Sequence, residues 1–249
     1  MGERMAETTQ VVLVTGAAKR IGAQIARTLH AAGWRVLIHY RASGAEARQL
    51  EKELNGVRAD SAHCLRANLL DLRALKKLAE EAHAQWGRLD ALVNNASSYY
   101  RTPLDSLTEE QFDDLVGGNL KAPLFLSQAC AAKMKSGAIV NIADSHAGQP
   151  LKHYSAYCAA KAGLVSMTQG LALELAPRIR VNAVAPGHIL WAAQNTMTVA
   201  QRNAEISRVP LQRLGTPDDI AMAVTYLLSP AAAYITGAVL PVDGGLRLA

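Results

Sequence analysis

Three residues near the middle of the chain could together form a proton-donating site: Tyr157, Lys161 and Asp144. Tyr157 and Lys161 are four residues apart, so on a helix they share one face. A cation on that face favours tyrosinate and should lower the pKa of the phenol from about 10 towards neutral pH, which makes tyrosine a usable proton donor. The same spacing is found in ordinary helical Tyr–Lys pairs, so the rest of the chain must decide between the two interpretations.

The elements that would position these residues follow from the hydrophobic pattern. Short apolar runs alternate with longer helical patterns, which predicts a parallel sheet covered by helices on both faces. The seven predicted strands are Val11–Thr15, Val36–Tyr40, Ala62–Ala67, Ala91–Asn94, Ala138–Ile142, Val181–Val184 and Val239–Val242. The predicted helices are Ile21–Ala32, Ala45–Leu54, Leu72–Trp86, Phe112–Leu126, Tyr154–Leu175 and Asp218–Leu228. Because ligands bind beyond the carboxyl ends of the strands in such sheets, we expect the chemistry at that edge.

Length and composition suit one α/β domain over residues 11–249, preceded by a flexible tail at 1–10 that lacks the apolar core of a secretory signal. No stretch approaches the 18 or more apolar residues of a membrane span. The net charge of +5 comes from 26 basic and 21 acidic side chains. These charges are dispersed, which argues against a nucleic-acid partner.

The three cysteines, Cys64, Cys130 and Cys158, are widely spaced and form neither a metal-binding nor a redox pattern. We expect them to be packing residues and the protein to be cytoplasmic, with no bound metal.

The first predicted strand breaks into G-A-A-K-R-I-G at residues 16–22, directly before a helical pattern. Gly16 permits a tight turn, Gly22 permits close packing of the helix, and N–H groups at the helix start can hold a pyrophosphate. Lys19, Arg20 and Ile21 lie within this turn. After the first strand of an alternating α/β chain, the pattern predicts a dinucleotide site, although Arg20 replaces a glycine.

The end of the second strand indicates which dinucleotide binds. NAD sites offer a carboxylate there for the ribose 2′-hydroxyl, whereas this chain has His39, Tyr40, Arg41 and Ser43. Arg41 and Ser43 can bind a phosphate, and Lys19 or Arg20 could approach it. The alternative is a basic surface turn, but we expect NADPH.

Between residues 186 and 211 the pattern weakens, giving a long segment with poor periodicity. Such a segment after a core strand is often a lid over a binding site, although an ordinary surface excursion has the same signature. We expect a substrate lid here.

Six ordered motifs give the chain a family resemblance. They are T-G-x-x-x-R-x-G at residues 15–22, N-N-A at 94–96, Asn119 in N-L-K-A, Y-x-x-x-K at 157–161, R-V-N-A-V-A-P-G at 180–187 and V-D-G-G at 242–245. In these motifs the chain resembles the short-chain dehydrogenase/reductases over nearly its whole length. The resemblance implies a Rossmann-type fold and, for many members, a homotetramer.

Departures from the usual family pattern narrow the resemblance. Arg20 stands in place of a glycine, and Asp144 stands near the usual serine, thirteen residues before Tyr157. Together with S-S-Y-Y at residues 97–100 and H-Y-x-x-S at 39–43, they make the chain similar to the pteridine reductase branch. An alignment shifted by one residue would make Ser145 the usual serine instead.

The resemblance also implies roles. Lys161 would bind the nicotinamide ribose and polarise Tyr157, and Asn119 would lie near a water that feeds protons to the lysine. Tyr157 would protonate a ring nitrogen with the help of Asp144. The further cofactor contacts implied are Asn68, Leu69, Asn95, Ala96, Ser97, Pro186 and Gly187.

For the substrate, the branch implies a pterin or folate held by Arg20, Ser97, Tyr99, Asp144 and Tyr157, with Tyr99 stacked over the ring. Two plainer interpretations stay open: Asp144 as a helix-capping residue and Tyr99 as a core tyrosine. His146 fits ordinary loop packing better than a specific contact.

Three functions are compatible with the sequence. The first is an NADPH-dependent pteridine reductase, the second is a carbonyl reductase of the same family, and the third is a non-catalytic nucleotide sensor. Arg20, Tyr99 and Asp144 favour the first over the second. The complete set of Asn119, Tyr157 and Lys161 argues against the third.

Overall fold

A computed structural model describes residues 9–190 and 197–249. Its core is a seven-stranded sheet in the order β3-β2-β1-β4-β5-β6-β7, in which every pairing is parallel. The strands are β1 Val11–Val14, β2 Arg35–Tyr40, β3 Ala62–Arg66, β4 Ala91–Asn94, β5 Gly137–Ile142, β6 Ile179–Pro186 and β7 Val239–Val242. The helices are α1 Arg20–Ala31, α2 Gly44–Val57, α3 Leu72–Ala84, α4 Glu109–Val116, α5 Ala122–Ala131, α6 Ser155–Leu175, α7 Val199–Ser207 and α8 Pro217–Leu228.

The strand order creates a crevice in the middle of the sheet. The chain runs outward from β1 to β3 and then returns to place β4 beside β1. The loops that follow β1 and β4 therefore leave the same edge in opposite directions, which is where α/β sheets bind nucleotides. The predicted doubly wound, Rossmann-type α/β fold is confirmed.

The two faces of the sheet bury separate apolar clusters. Since side chains alternate along a strand, Val12 and Val14 pack with α1, α2 and α8, whereas Val11 and Leu13 pack on the opposite face with α3, α5 and α6. Every residue of β1 is completely buried. Burial on both faces explains why β1 is a continuous apolar run in the sequence.

Two helical regions differ from the sequence prediction. The pattern at Phe112–Leu126 belongs to α4 and α5, which are joined by a π-helical turn at Gly117–Lys121. The segment expected to be a lid contains α7. Residues 1–8, most of the predicted tail, and 191–196, within the predicted lid, lie outside the described residues.

The helices described in residues 9–190 and 197–249 include none that is long and apolar enough to cross a membrane. Within the same residues, no group of three or more His, Cys, Asp or Glu side chains could hold a metal ion. All three cysteines are free thiols, and Cys130 and Cys158 are buried.

A chain of buried polar side chains crosses one face of the sheet. The Asn94 amide donates to the Ser127 hydroxyl at 3.1 Å and to the Asn141 carbonyl oxygen at 2.8 Å. The Asn141 amide in turn donates to the Thr168 hydroxyl at 2.9 Å. These bonds tie β4 and β5 to α5 and α6, so they fix the helix that carries Tyr157 to the sheet.

Replacing Asn141 with alanine should lower the free energy of unfolding by about 2–3 kcal/mol, because it leaves buried hydrogen-bonding groups without a partner. Urea denaturation measures this change. Asn203→Ala on the exposed surface of α7 is the matched control and should leave the midpoint almost unchanged. Equal midpoints for the two variants would show that the polar chain does not stabilise the fold.

Candidate active site

Tyr157 and Asp144 form a short, direct hydrogen bond. Tyr157 lies in the first turn of α6, and Asp144 lies two residues beyond the end of β5. The phenol donates to Asp144 Oδ2 at 2.5 Å. Tyr157 is buried, and Asp144 is partly buried. The structure therefore brings together two of the three residues that the sequence analysis selected for a proton-donating site.

Burial and the neighbouring carboxylate determine how these two groups ionise. Burial, followed by the charge of Asp144 and the hydrogen bond to it, raises the pKa of Tyr157 well above its ordinary value. For Asp144, burial opposes ionisation most strongly, yet hydrogen bonds from His146 and Tyr157 outweigh it, so its pKa is lowered. The pair is thus a protonated phenol beside an ionised carboxylate.

The expectation that Lys161 lowers the pKa of Tyr157 is wrong for this structure. The Lys161 ammonium lies 5.8 Å from the centre of the Tyr157 ring and donates to the Ile142 carbonyl oxygen at 2.8 Å. Burial lowers the pKa of Lys161 itself to about 8, although the charge of Asp144 opposes this. Burial, and then the carboxylate in direct contact with the phenol, determine the pKa of Tyr157, and the more distant cation does not.

Asp144 also caps a short helical turn, so the plainer interpretation is correct as well. Its side chain accepts a hydrogen bond from the His146 backbone N–H at the start of the 3₁₀ turn Ser145–Ala147. The neighbouring Ser145 hydroxyl is buried and has no hydrogen-bond partner among the described residues. Of these two adjacent residues, Asp144 is the one bonded to Tyr157.

Asn119 is completely buried in the π-helical turn. Its side chain accepts a hydrogen bond from the Ser97 hydroxyl at 2.6 Å and donates to the carbonyl oxygens of Ser98 and Leu115, both at 2.9 Å. All of its side-chain groups are therefore used in fixing the loop after β4 to the turn. Single π turns of this kind are frequent at functional sites.

Tyr99 and Tyr154 form an aromatic wall beside the Tyr157 phenol. The Tyr99 ring packs edge-on against Tyr157, with centroids 4.9 Å apart, and stacks on Tyr154 at 5.0 Å with an angle of 15° between planes. Tyr99 is 45% exposed, so it is not a core tyrosine. A flat ligand entering beside Tyr157 meets this wall.

The glycine turn lies at the central crevice. Gly16 has a φ of +62°, and a Cβ atom there would lie 3.0 Å from the Cα of Ala96. A Cβ on Gly22 would lie 2.4 Å from the Gly16 oxygen and 2.5 Å from the Asn95 amide nitrogen. Only glycine allows this close approach, which is the cradle that a dinucleotide pyrophosphate needs. The residues present therefore fit a dinucleotide.

Thr15 joins this turn to the loop after β4. Its hydroxyl accepts hydrogen bonds from the backbone N–H groups of Asn95 and Ala96, at 2.9 and 3.0 Å. The Asn95 amide donates to the carbonyl oxygens of Thr15 and Gly16. These hydrogen bonds hold Asn95 and Ala96 against the glycine turn, at the base of the crevice.

Arg20 adopts a left-handed backbone conformation, with a φ of +54°. Glycine adopts this conformation without strain, which explains why the usual family pattern has glycine at this position. An arginine here is strained. Strained residues of this kind persist mainly where the surrounding structure or the function requires them.

The predicted cofactor residues at the end of β2 differ in exposure: His39 is buried inside the fold, whereas Arg41 lies at the surface. His39 is buried, with Nδ1 accepting from the Gly16 N–H and Nε2 donating to the Ala67 carbonyl oxygen. Burial lowers its pKa to about 4, so it is a neutral link between strands. Arg41 is exposed, and the Ser43 hydroxyl makes no capping bond at the start of α2. Lys19 pairs with Glu46 at 2.7 Å.

The remaining predicted cofactor residues lie along the carboxyl edge of the sheet. Gly187, just after β6, comes so close to Asp243 that a Cβ would lie 2.7 Å from its Cα. Asn68 is exposed beyond β3, and its side chain accepts from the Leu70 N–H. Tyr40 and Leu69 are half-buried, as is Ile21, and Pro186 is buried.

Three residues of the site were not selected from the sequence: Thr15, His146 and Tyr154. Tyr154 is three residues before Tyr157, the spacing of one helical turn, and this signal could have placed it beside the phenol. The N–H of His146 is held by Asp144 two residues earlier, a spacing typical of Asp-initiated turns. Thr15 precedes the glycine turn without a distinctive signal of its own.

Residues 16–247 match the family model described as enoyl-(acyl carrier protein) reductase. The chain is 38% identical to pteridine reductase 1 of Leishmania tarentolae, over 97% of this chain and 97% of that protein. It is 35% identical to the 3-oxoacyl-(acyl-carrier-protein) reductase FabG of Staphylococcus aureus, over 96% of this chain and 99% of that protein. The chain is also 34% identical to the FabG of Staphylococcus epidermidis, over 95% of this chain and 98% of that protein.

Replacing Asp144 with asparagine should lower the pKa of Tyr157, because it removes a negative charge that opposes tyrosinate. The pKa should stay above about 10, since burial remains. Ultraviolet titration of tyrosinate measures the change, with Tyr157→Phe in each background as the subtracted control. Identical titrations with and without the carboxylate would contradict this account of the pair.

Proposed function

Because the chain belongs to the short-chain dehydrogenase/reductase family, we propose that this NAD(P)H-dependent oxidoreductase reduces pterins or dihydropterins, with dihydrofolate as a further candidate. The observation that carries the proposal is the Asp144 carboxylate, bonded to the proton-donating Tyr157 beneath the Tyr99 wall. The cofactor proposed is NADPH.

A carboxylate at this position suits a nitrogen heterocycle better than a simple ketone. Ionised Asp144 can only accept hydrogen bonds. A pterin offers ring and amino N–H donors, whereas a ketone offers none. A ketone therefore gains no hydrogen bond from Asp144. The flat Tyr99 ring adds about 0.5–1.5 kcal/mol of stacking for an aromatic substrate.

The proposed mechanism uses the protein's groups in fixed roles. When bound, the reduced nicotinamide supplies a hydride. Tyr157 protonates the adjacent ring nitrogen, since it is a protonated phenol in the structure. Asp144 accepts substrate N–H groups, and this competes with the Tyr157 hydrogen bond and turns the phenol proton towards the substrate. Lys161 holds the nicotinamide ribose, and Asn119 orders the turn beside it.

Cations near the end of β2 support NADPH rather than NADH. Arg41 is exposed there, and the Ser43 hydroxyl is not used by the helix it precedes. A guanidinium binds phosphate with two parallel hydrogen bonds. Lys19 is a second candidate, because its exposed pair with Glu46 is screened by water and can exchange for a phosphate. Arg20, strained at the pyrophosphate turn, is proposed to contact both cofactor and substrate.

The second candidate is a carbonyl reductase for 3-oxoacyl thioesters or other ketones. Its support is the 35% identity to FabG, close to the 38% identity to pteridine reductase 1. The site argues against it, because Asp144 and Tyr99 serve no purpose for a simple ketone.

Three further features belong to the proposal. We propose that residues 186–211 act as a substrate lid, since α7 lies in this segment and Glu205 on α7 approaches His188 beside the site. A homotetramer would cover exposed apolar side chains such as Leu173, Met222 and Tyr234. The three free thiols fit a cytoplasmic location.

The purified protein should oxidise NADPH faster with dihydrobiopterin or dihydrofolate than with acetoacetyl thioesters, as measured by the decay of NADPH absorbance. Tyr157→Phe should abolish most of the turnover, because the proton donor is lost. A preference for the thioester would replace the pterin assignment with the carbonyl reductase. If Tyr157→Phe kept full activity, another group would be the acid.

Arg41→Asp should raise the KM for NADPH by about tenfold or more while leaving the KM for NADH nearly unchanged, since a charge-assisted contact to the 2′-phosphate contributes about 1.5–3 kcal/mol. Steady-state kinetics with both cofactors measure the difference. Lys133→Asp is the matched control, because Lys133 is exposed just before β5, at the opposite edge of the sheet. Equal changes for the two cofactors would rule out a phosphate contact by Arg41.

A further inference from the structure

His146 makes two contacts with the same oxygen of the reactive carboxylate. Its backbone N–H donates to Asp144 Oδ1 at 2.8 Å, and its Nδ1 lies 2.8 Å from that oxygen. The other oxygen, Oδ2, accepts the hydrogen bond of Tyr157. The two oxygens of Asp144 therefore have separate partners. Because a carboxylate only accepts, Nδ1 must carry a proton in this arrangement.

This arrangement fixes the orientation of Asp144. A free aspartate side chain can rotate about two bonds and exchange its oxygens, whereas two donors from one residue hold Oδ1 in place. The other oxygen, Oδ2, is then directed at the Tyr157 hydroxyl. The short turn Ser145–Ala147 makes this possible, because it folds the imidazole back over the residue that caps the turn.

We propose that His146 is a positioning residue, which clamps Oδ1 of Asp144 through its backbone and its imidazole so that Oδ2 stays aligned with Tyr157. It acts through Asp144 and needs no contact with the substrate. The kinetic part of this inference rests on the proposed pterin reduction, whereas the clamp itself does not.

The groups around His146 define what else can influence the clamp. The His188 ring, in the loop after β6, lies 6.1 Å away between ring centres. On α7, Glu205 approaches His188 Nε2 at 3.5 Å and pairs with Arg208 at 3.1 Å. Burial first, and then the charge of His146, lower the pKa of His188. The charged groups that face the clamp are thus Asp144 directly and Glu205 with Arg208 beyond His188.

Two substitutions separate the clamp from simple packing. His146→Ala removes the imidazole donor but keeps the backbone N–H. His146→Asn places an amide N–H near the position of Nδ1, so it should restore the hydrogen bond without the ring. His83→Ala, a partly buried histidine in the last turn of α3, is the matched control for loss of an imidazole away from the site.

We expect His146→Ala to lower kcat for dihydropterin by about 10- to 100-fold, the range for loss of one hydrogen bond to a charged group, with the KM for NADPH within about twofold. His146→Asn should recover most of this loss. The acid limb of the pH–kcat profile should move to higher pH in the alanine variant, because the hydrogen bond from His146 is the strongest contribution lowering the pKa of Asp144.

A substrate-free measurement keeps the two proposals distinguishable. Carbon-13 NMR titration of the Asp144 carboxyl in the free protein should give a higher pKa in His146→Ala than in the wild type or His83→Ala, and an intermediate value in His146→Asn. An unchanged Asp144 titration, or an asparagine variant as impaired as the alanine variant, overturns the clamp. Failure of the wild type to reduce any pterin overturns the proposed function instead, and the carboxyl titration then decides the clamp alone.

Discussion

The hydrogen bond between Tyr157 and Asp144 is the interaction on which the site depends. It joins the start of α6 to the loop after β5, so it requires the sheet and the helix to be in register. The phenol is held in its protonated form, first because burial disfavours tyrosinate and then because tyrosinate would place a second negative charge beside Asp144. The proposed proton transfer therefore requires the substrate to compete with the phenol for the Asp144 carboxylate.

The fold around this bond could be predicted largely from the sequence. The central strands are buried on both faces, so they are short, mainly apolar runs that stand out in the sequence, as in β1. β6 extends to Ile179–Pro186 beyond its predicted core, since its ends carry polar or proline residues that hide the boundary. α7 was missed because none of its residues is buried, and an exposed helix has no apolar periodicity. Its capping box, Thr198 with Gln201, was the available signal.

The sequence predicted which residues form the site better than it predicted how those residues ionise. Tyr157, Lys161 and Asp144 come together as their spacing suggested, but the direction of the phenol's pKa was wrong. Sequence spacing places a lysine on the same helix face, yet it cannot show that the ammonium turns to the Ile142 carbonyl oxygen. Nor can it show that Asp144 reaches the phenol from another element. His39 illustrates the same limit, since its ring bonds to Gly16 and Ala67, which follow the strands on either side of β2.

The two candidate functions make different demands on the side chain at position 144. A serine hydroxyl can donate a hydrogen bond to a carbonyl oxygen, whereas an ionised carboxylate can only accept one and repels the negative charge that develops on that oxygen during ketone reduction. Protonation at a ring nitrogen develops no such oxyanion, so a carboxylate beside the phenol is tolerated and can hold the N–H groups of the ring. The fold and the Tyr–Lys pair suit both candidate reactions, so the proposed pterin reduction rests on the acidic residue at position 144.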